Sequence, residues 1–282
     1  MPIEILTVCK YIILAVIIIS FLQFWISLIP PKFHSTIKPD EFGIPYEQVS
    51  FNTADGVTIA GWWIPGKGNM TLIVGHGYPF DKGNIFQATV WLHPEFNLFY
   101  YDHRSFGESK GIISTAGARE AKDVEAAINF VKKKQPGKIG LYGFSMSGAA
   151  MLLSSKTSVS AIVVDSTYAT LDAMIHRTYA LFGPLRWPFV WITKLYSIIF
   201  LGISADNVSP AKELAKAKIP VLIIHGSKDS QIPVENAYNL YEQSNKKKVE
   251  LWIIEGADHG ESIAVAKEKY KKRIIKFFNE NQ

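Results

Sequence analysis

Hydrophobic positions in this 282-residue chain fall into one long run near the N-terminus and a series of short runs behind it. Residues 11–29 read YIILAVIIISFLQFWISLI, without a charged side chain. At about 1.5 Å of rise per residue, a helix of about 19 residues approaches the hydrocarbon thickness of a bilayer, so an uncleaved single-pass membrane helix is expected here. A signal peptide has a shorter apolar region ending in small residues, whereas Trp25, Ile29, Pro30 and Pro31 follow in this chain. Trp25 suits an interfacial position and the two prolines end the helix. Lys10 and the terminal amine on one side are matched by Lys32 and Lys38 on the other, which leaves the sidedness open.

Behind a polar, proline-punctuated connector at 32–45, short apolar runs rich in β-branched and aromatic residues occur at 46–53, 57–64, 70–75, 96–102, 138–143, 161–165, 219–225 and 249–254. These predict eight strands. Helical patterns lie at 116–134, 146–155, 234–244 and 262–278. Strand and helix in alternation mean parallel βαβ units, while the Asp55-Gly56 turn predicts an antiparallel ribbon at the start of the sheet. Residues 166–207 break the rhythm, being too long for a βα loop and too aromatic for a solvated one, and are expected to form an inserted cap within a domain running from 46 to 282. The terminal helix is basic and amphipathic, with Tyr270, Ile274 and Phe277 on its inner face.

Composition narrows the function classes. With 48% hydrophobic and 20% charged residues the chain is globular and not disordered. The net charge of +5 is spread along the sequence, which argues against a nucleic-acid partner. Cys9 is the single cysteine, so no intrachain disulfide framework or cysteine zinc site is possible, and His34, His93, His103 and His176 lack metal-ligand spacing. No metal and no cofactor are expected.

The strand KIGLYGF runs into Gly143-Phe144-Ser145-Met146-Ser147-Gly148 and then into AAMLLSS, so a serine stands where a strand turns sharply into a helix. Small neighbours are needed at such an elbow, and the helix start supplies amide donors beside the serine. A serine-rich helix cap would give the same local pattern. Two further fragments decide between them: HGSKDSQIP at 225–233 and GADHG at 256–260, each behind a predicted strand. The ensemble resembles the α/β-hydrolase superfamily, in which nucleophile, acid and histidine follow in that chain order. The resemblance implies an α/β-hydrolase fold, an eight-stranded mostly parallel sheet flanked by helices with a cap insertion, and a triad of Ser145, Asp229 and His259. His76-Gly77-Tyr78 is similar to the family's oxyanion loop, so the backbone N–H groups of Tyr78 and Met146 are implied as the oxyanion hole, with Gly143, Ser147, Gly148, His76 and Gly77 as scaffold. The stretch YDHRSFGESKG at 101–111 is similar to a family loop in which Asp102 and Arg104 fix neighbouring segments. Ser147 and Ser105 stand where the family usually has glycine. Asp165 and Asp258 are rival acids, Asp258 the weaker because loop neighbours usually point apart, and His225 reads as a core histidine bonded to a nearby loop.

This constellation implies acyl transfer through an acyl-enzyme on an ester or thioester, with lipid or S-acylated protein as the substrate classes of the membrane-tethered, lipase- and thioesterase-like branch that the chain resembles. The apolar cap is expected to supply an acyl-chain tunnel or a second membrane-contacting surface, or else to pack on the sheet domain with a dry interior. Two other readings stay open: a serine peptidase or aminopeptidase of the same fold, and a catalytically silent tethered binding module.

Overall fold

The computed structural model describes residues 2–282. In chain order the elements are α1 (Pro2–Leu28), β1 (Glu47–Asn52), β2 (Thr58–Ile64), β3 (Met70–Gly75), α2 (Lys82–Thr89), β4 (Asn97–Tyr101), α3 (Glu120–Lys134), β5 (Lys138–Phe144), α4 (Met146–Leu153) and β6 (Val159–Asp165). There follow α5 (Leu171–Thr178), α6 (Trp187–Tyr196), α7 (Pro210–Leu214), β7 (Val221–Gly226), α8 (Glu235–Glu242), β8 (Val249–Ile254) and α9 (Ser262–Glu280). The chain divides into two compact units: Met1–Ile29 with Thr170–Val208, and Pro30–Ala169 with Ser209–Gln282. The anchor helix and the insertion, which the sequence treats as separate features, thus fall in one unit.

In the larger unit eight strands form one sheet in the order β1-β2-β4-β3-β5-β6-β7-β8. β1 and β2 are antiparallel across the turn at 53–57, where Thr53 N–H donates to Val57 O (2.9 Å) and Gly56 takes φ 83°. β2 and β4 are antiparallel and every pair from β4 onward is parallel. Helices on both faces explain why β3, β4 and β7 are buried throughout, whereas β1 at the edge alternates. One face packs Ile73, Phe99, Leu141 and Ile223 against α3, through Val124 and Ile128, and against α4. The other packs Leu72, Leu98, Tyr142 and Leu222 against α9, through Ile274 and Phe278. β5 is central, so its C-terminal end delivers Ser145 to the middle of the sheet's carboxyl edge.

Three elements depart furthest from the sequence expectation. α3 begins at Glu120 and not at residue 116, because the Glu120 carboxylate accepts from the N–H groups of Thr115 (2.9 Å) and Gly117 (2.8 Å) and holds them in a turn. α2 was not foreshadowed by hydrophobic periodicity; it starts because Asp81 caps it, accepting from the N–H groups of Gly83 and Asn84 while Asn84 accepts from the Asp81 N–H. α1 extends back to Pro2, through Lys10, and its stretch Glu4–Leu28 is long and apolar enough to cross a bilayer by length and composition.

In the smaller unit, rings on α1 pack against α6 and the turn behind it. Phe21 and Phe24 lie 5.7 and 5.8 Å from the Tyr196 ring, and Trp25 lies 5.7 Å from Phe200. Tyr179, Phe189 and Val190 form a small buried cluster, with Tyr179 sharing a hydrogen bond with Thr193 (2.7 Å).

Candidate active site

Ser145 has φ 53° and ψ −116°, backbone values that a side chain enters only at a cost of about 1–3 kcal/mol. Its surroundings over-determine that shape. The Ser145 N–H donates to Asp165 O (2.8 Å) and its carbonyl accepts from the Thr167 hydroxyl (3.1 Å). A β-carbon on Gly143 would stand 2.7 Å from the Gly148 backbone, and one on Gly148 would run into Thr167 Oγ1, so both glycines are required by close approach.

The loop behind β7 carries Asp229 and the loop behind β8 carries His259. His259 Nδ1 lies 2.8 Å from Asp229 Oδ2. The other carboxylate oxygen accepts from the N–H groups of Gln231 (3.0 Å) and Ile232 (2.7 Å). Burial works to raise the Asp229 pKa, but the hydrogen bonds from His225, His259 and Ile232 outweigh it and hold the carboxyl well below the usual range. An ionised Asp229 accepts from His259 Nδ1–H, and in the neutral ring that tautomer places the free lone pair on Nε2, where it can act as a base. His225 is buried and bonds to a loop, with Nε2 2.7 Å from Ile232 O and 3.3 Å from Asp229 Oδ2. Asp258 is engaged by backbone and hydroxyl donors: its carboxylate accepts from Ser230 N–H (2.7 Å) and Oγ (3.1 Å) and from the His259 N–H (2.6 Å), and ties the two loops together.

Asp165 is bonded elsewhere. It accepts from Tyr270 (2.6 Å), Ser262 (3.0 Å) and Ser166 (3.1 Å), and Tyr142 donates in turn to the Tyr270 oxygen (2.6 Å). Burial raises its pKa against these donors. The structure therefore pairs Asp229, and not Asp165, with the histidine.

The loop behind β3 passes directly over the serine, since a β-carbon on Gly77 would lie 3.0 Å from Ser145 Cβ and 2.9 Å from the Phe144 ring. Tyr78 follows it. Among the described residues, the turn and loop hydrogen bonds engage neither the Tyr78 nor the Met146 N–H. His76 fixes the loop: its Nε2 accepts from His103 N–H (3.0 Å), so Nδ1 carries the proton and donates to Gly77 O (2.9 Å). Burial, with His103 beside it, pushes the His76 pKa well down, so the ring is neutral.

Ser147 fits where glycine is usual because Gly75 faces it, and a β-carbon there would stand 2.8 Å from Ser147 Cβ. The Ser147 hydroxyl donates to His76 O (2.6 Å) and lies 2.5 Å from His103 Nε2, whose Nδ1 lies 3.3 Å from Asp123. Serine, histidine and aspartate here resemble a second triad, but all three are fully buried and Ser147 gives its proton to a carbonyl, so they serve as a brace. Nothing in the sequence motif foreshadowed the link from Ser147 to His103. Farther out, Asp102 accepts from the Lys82 N–H (2.7 Å), the Lys82 ammonium (2.6 Å) and the Glu108 N–H (2.8 Å), which ties the start of α2 to the 101–111 loop.

Arg104 bridges that loop to the hairpin, with Asp123 on one side and Asp55 (2.9 and 3.0 Å) on the other. The Arg104 hydrogen bonds hold the Asp55 carboxyl far below its ordinary 3.8. A lowered pKa in the folded state contributes stability above the ordinary value and loses it as pH falls toward the folded one. Urea midpoints should therefore fall as pH drops below about 4, and Asp55→Asn should flatten that slope; an unchanged slope would remove Asp55 from this role.

A cavity of about 380 Å³ opens beside His259, walled by Tyr78, Phe80, Ile85, Phe144 and Ile263, with Asp165, Tyr142 and Tyr270 among its lining. Much of one wall comes from α2, the helix that periodicity missed; the signal for it was the Asp81-to-Asn84 cap.

The prolyl oligopeptidase family matches over residues 109–282. The uncharacterized protein YqkD of Bacillus subtilis (strain 168) is 29% identical over 236 residues, covering 80% of this chain and 77% of that protein. The uncharacterized protein YfhR of Salmonella typhi is 30% identical over 237 residues, covering 76% and 74% respectively. In three dimensions the chain is similar to the Pyrococcus furiosus esterase Pf2001, with a TM-score of 0.75 and 27% identity over 89% of this chain and 98% of that one. The elbow serine, Asp229 and His259 all lie inside the matched segment. The chain belongs to the prolyl oligopeptidase family and is a hydrolase built on the α/β-hydrolase fold.

Proposed function

We propose that this hydrolase cleaves carboxylic ester or thioester bonds of acyl substrates at a membrane surface, through a triad of Ser145, Asp229 and His259. The observation that carries the reading is the 2.8 Å bond between His259 and an ionised Asp229, on loops beside a serine held in a strained elbow. His259 Nε2 takes the Ser145 proton, the serine oxygen attacks the carbonyl carbon, and the N–H groups of Tyr78 and Met146 receive the oxyanion, each donor worth about 10²–10³ in rate. Collapse of the tetrahedral species expels the alcohol or thiol with the proton returned by His259, and water repeats the sequence on the acyl-enzyme. This chain's own groups supply every step, so no cofactor or metal is invoked.

Esters are favoured over peptides by two observations. Pf2001 is described as an esterase and is similar over most of both chains. The single carboxylate lining the cavity, Asp165, already accepts from three hydroxyl donors and offers a peptide amine little. The peptidase reading draws on the family's name, and the mostly apolar cavity wall points instead to an acyl chain. α1 is read as the anchor that keeps the enzyme at its substrate. A series of p-nitrophenyl esters from acetyl to palmitoyl should show kcat/KM rising with chain length, by up to about tenfold for each pair of methylenes that finds apolar wall. A preference for acetyl, or faster release of amino acids from peptide amides, would overturn the reading.

A further inference from the structure

We propose that the insertion carries a second lipid-embedded surface, along α6 and the turn behind it, seated in the same bilayer leaflet as the adjoining part of α1. The proposal rests on α1 lying in the membrane and adds the surface that sits beside it.

α6 is apolar on two faces. Phe189, Val190 and Thr193 point inward and are buried. Trp187, Trp191 and Leu195, four residues apart and therefore on one opposite stripe, are 51%, 65% and 51% exposed. Ile198 and Ile199 continue that stripe in the following turn. An apolar surface of this extent, two indoles included, is costly to leave in water.

Three features commit this surface to lipid. The first is continuity: Phe24 and Trp25 of α1 pack against Tyr196 and Phe200, and the Tyr196 hydroxyl donates to Ile17 O (3.3 Å), so α6 adjoins a helix of membrane-spanning length. The second is charge. Residues 180–201 contain no acid and two cations, Arg186 and Lys194, and Lys194 is held by Asp172 (2.9 Å) and Asp206 at the edge of the unit. The third is the placement of tryptophan, an amphipathic ring enriched at the boundary between headgroup and acyl chain. An exposed apolar face with tryptophans, on a short helix beside a spanning one, is the pattern of an interfacial element lying in the plane of the bilayer.

The test uses full-length protein in which the exposed Cys9 is replaced by serine and single cysteines are introduced by Trp187→Cys, Trp191→Cys or Ile199→Cys. Each is labelled with an environment-sensitive fluorophore and reconstituted into phosphatidylcholine vesicles containing lipids spin-labelled on the acyl chain. Leu14→Cys on α1 and Tyr238→Cys on α8 serve as inside and outside references, both being exposed side chains. Quenching at the three insertion sites close to that at Leu14, and well above that at Tyr238, is expected. Quenching no greater than at Tyr238 would overturn the proposal. So would emission at these sites that changes with protein-to-lipid ratio and ignores the spin label, which would identify a second copy as the cover. If Leu14 also escapes quenching, the membrane reading of α1 falls together with the proposal. Reaction of the same preparations with a fluorophosphonate reports separately on the hydrolase reading.

Discussion

Asp229→Asn is expected to lower kcat by about 10⁴-fold while leaving the fold intact. An asparagine can still accept from the N–H groups of Gln231 and Ile232 through its carbonyl oxygen, as Asp229 Oδ1 does at 3.0 and 2.7 Å. Its amide then faces His259 as a donor where the carboxylate accepted at 2.8 Å, so the imidazole proton moves to Nε2 and the base is lost. Asp165→Asn is the matched control, since Asp165 bonds Tyr270, Ser262 and Ser166 and not the histidine; its kcat should stay near that of the parent. Steady-state rates on one ester, with thermal unfolding alongside, separate the cases. A collapse of kcat in Asp165→Asn with Asp229→Asn unaffected would exchange their roles.

Gly75→Ala is expected to destabilise the protein by about 1–3 kcal/mol and to reduce kcat, because the new methyl group meets the Ser147 side chain and the Met151 methyl (3.2 Å) beneath the elbow. Ser147→Gly alone removes the bonds to His76 O and His103 and should cost about 1 kcal/mol. In the double variant the methyl group occupies the space the hydroxymethyl vacates, so the two changes should fall short of additivity by about 1–2 kcal/mol. Additive losses in urea unfolding would mean that Gly75 and Ser147 do not constrain each other. The pair explains how this chain tolerates serine in a glycine position: the space comes from the neighbouring strand, and the hydroxyl ties the elbow to the oxyanion loop.

Local signals made much of this legible in the sequence. The eight strands were readable because buried parallel strands are continuous β-branched and aromatic runs, as in MTLIVG and VLIIHG. The Asp55-Gly56 turn announced the antiparallel start, and the glycines around Ser145 announced the elbow. α2 was missed because KGNIFQAT is short and has a glycine in its first turn, so its start is set by the Asp81 cap. The insertion's apolar residues were visible, but a sequence does not say which helix they pack on; tertiary contact joins them to α1. The long-range partners of Asp165, His103 and Ser147 were likewise illegible. They depend on residues up to 105 positions apart that only the sheet's order brings together.

The central claim is that Ser145 is an activated nucleophile. Its most direct test is covalent labelling of the full-length protein in membranes by a fluorophosphonate probe, with Ser145→Ala beside it, because only a serine with a working base and oxyanion hole reacts rapidly. Rapid labelling of the parent chain that disappears in the variant is the predicted result. A folded parent chain that takes no label, or label that persists in Ser145→Ala, would contradict it.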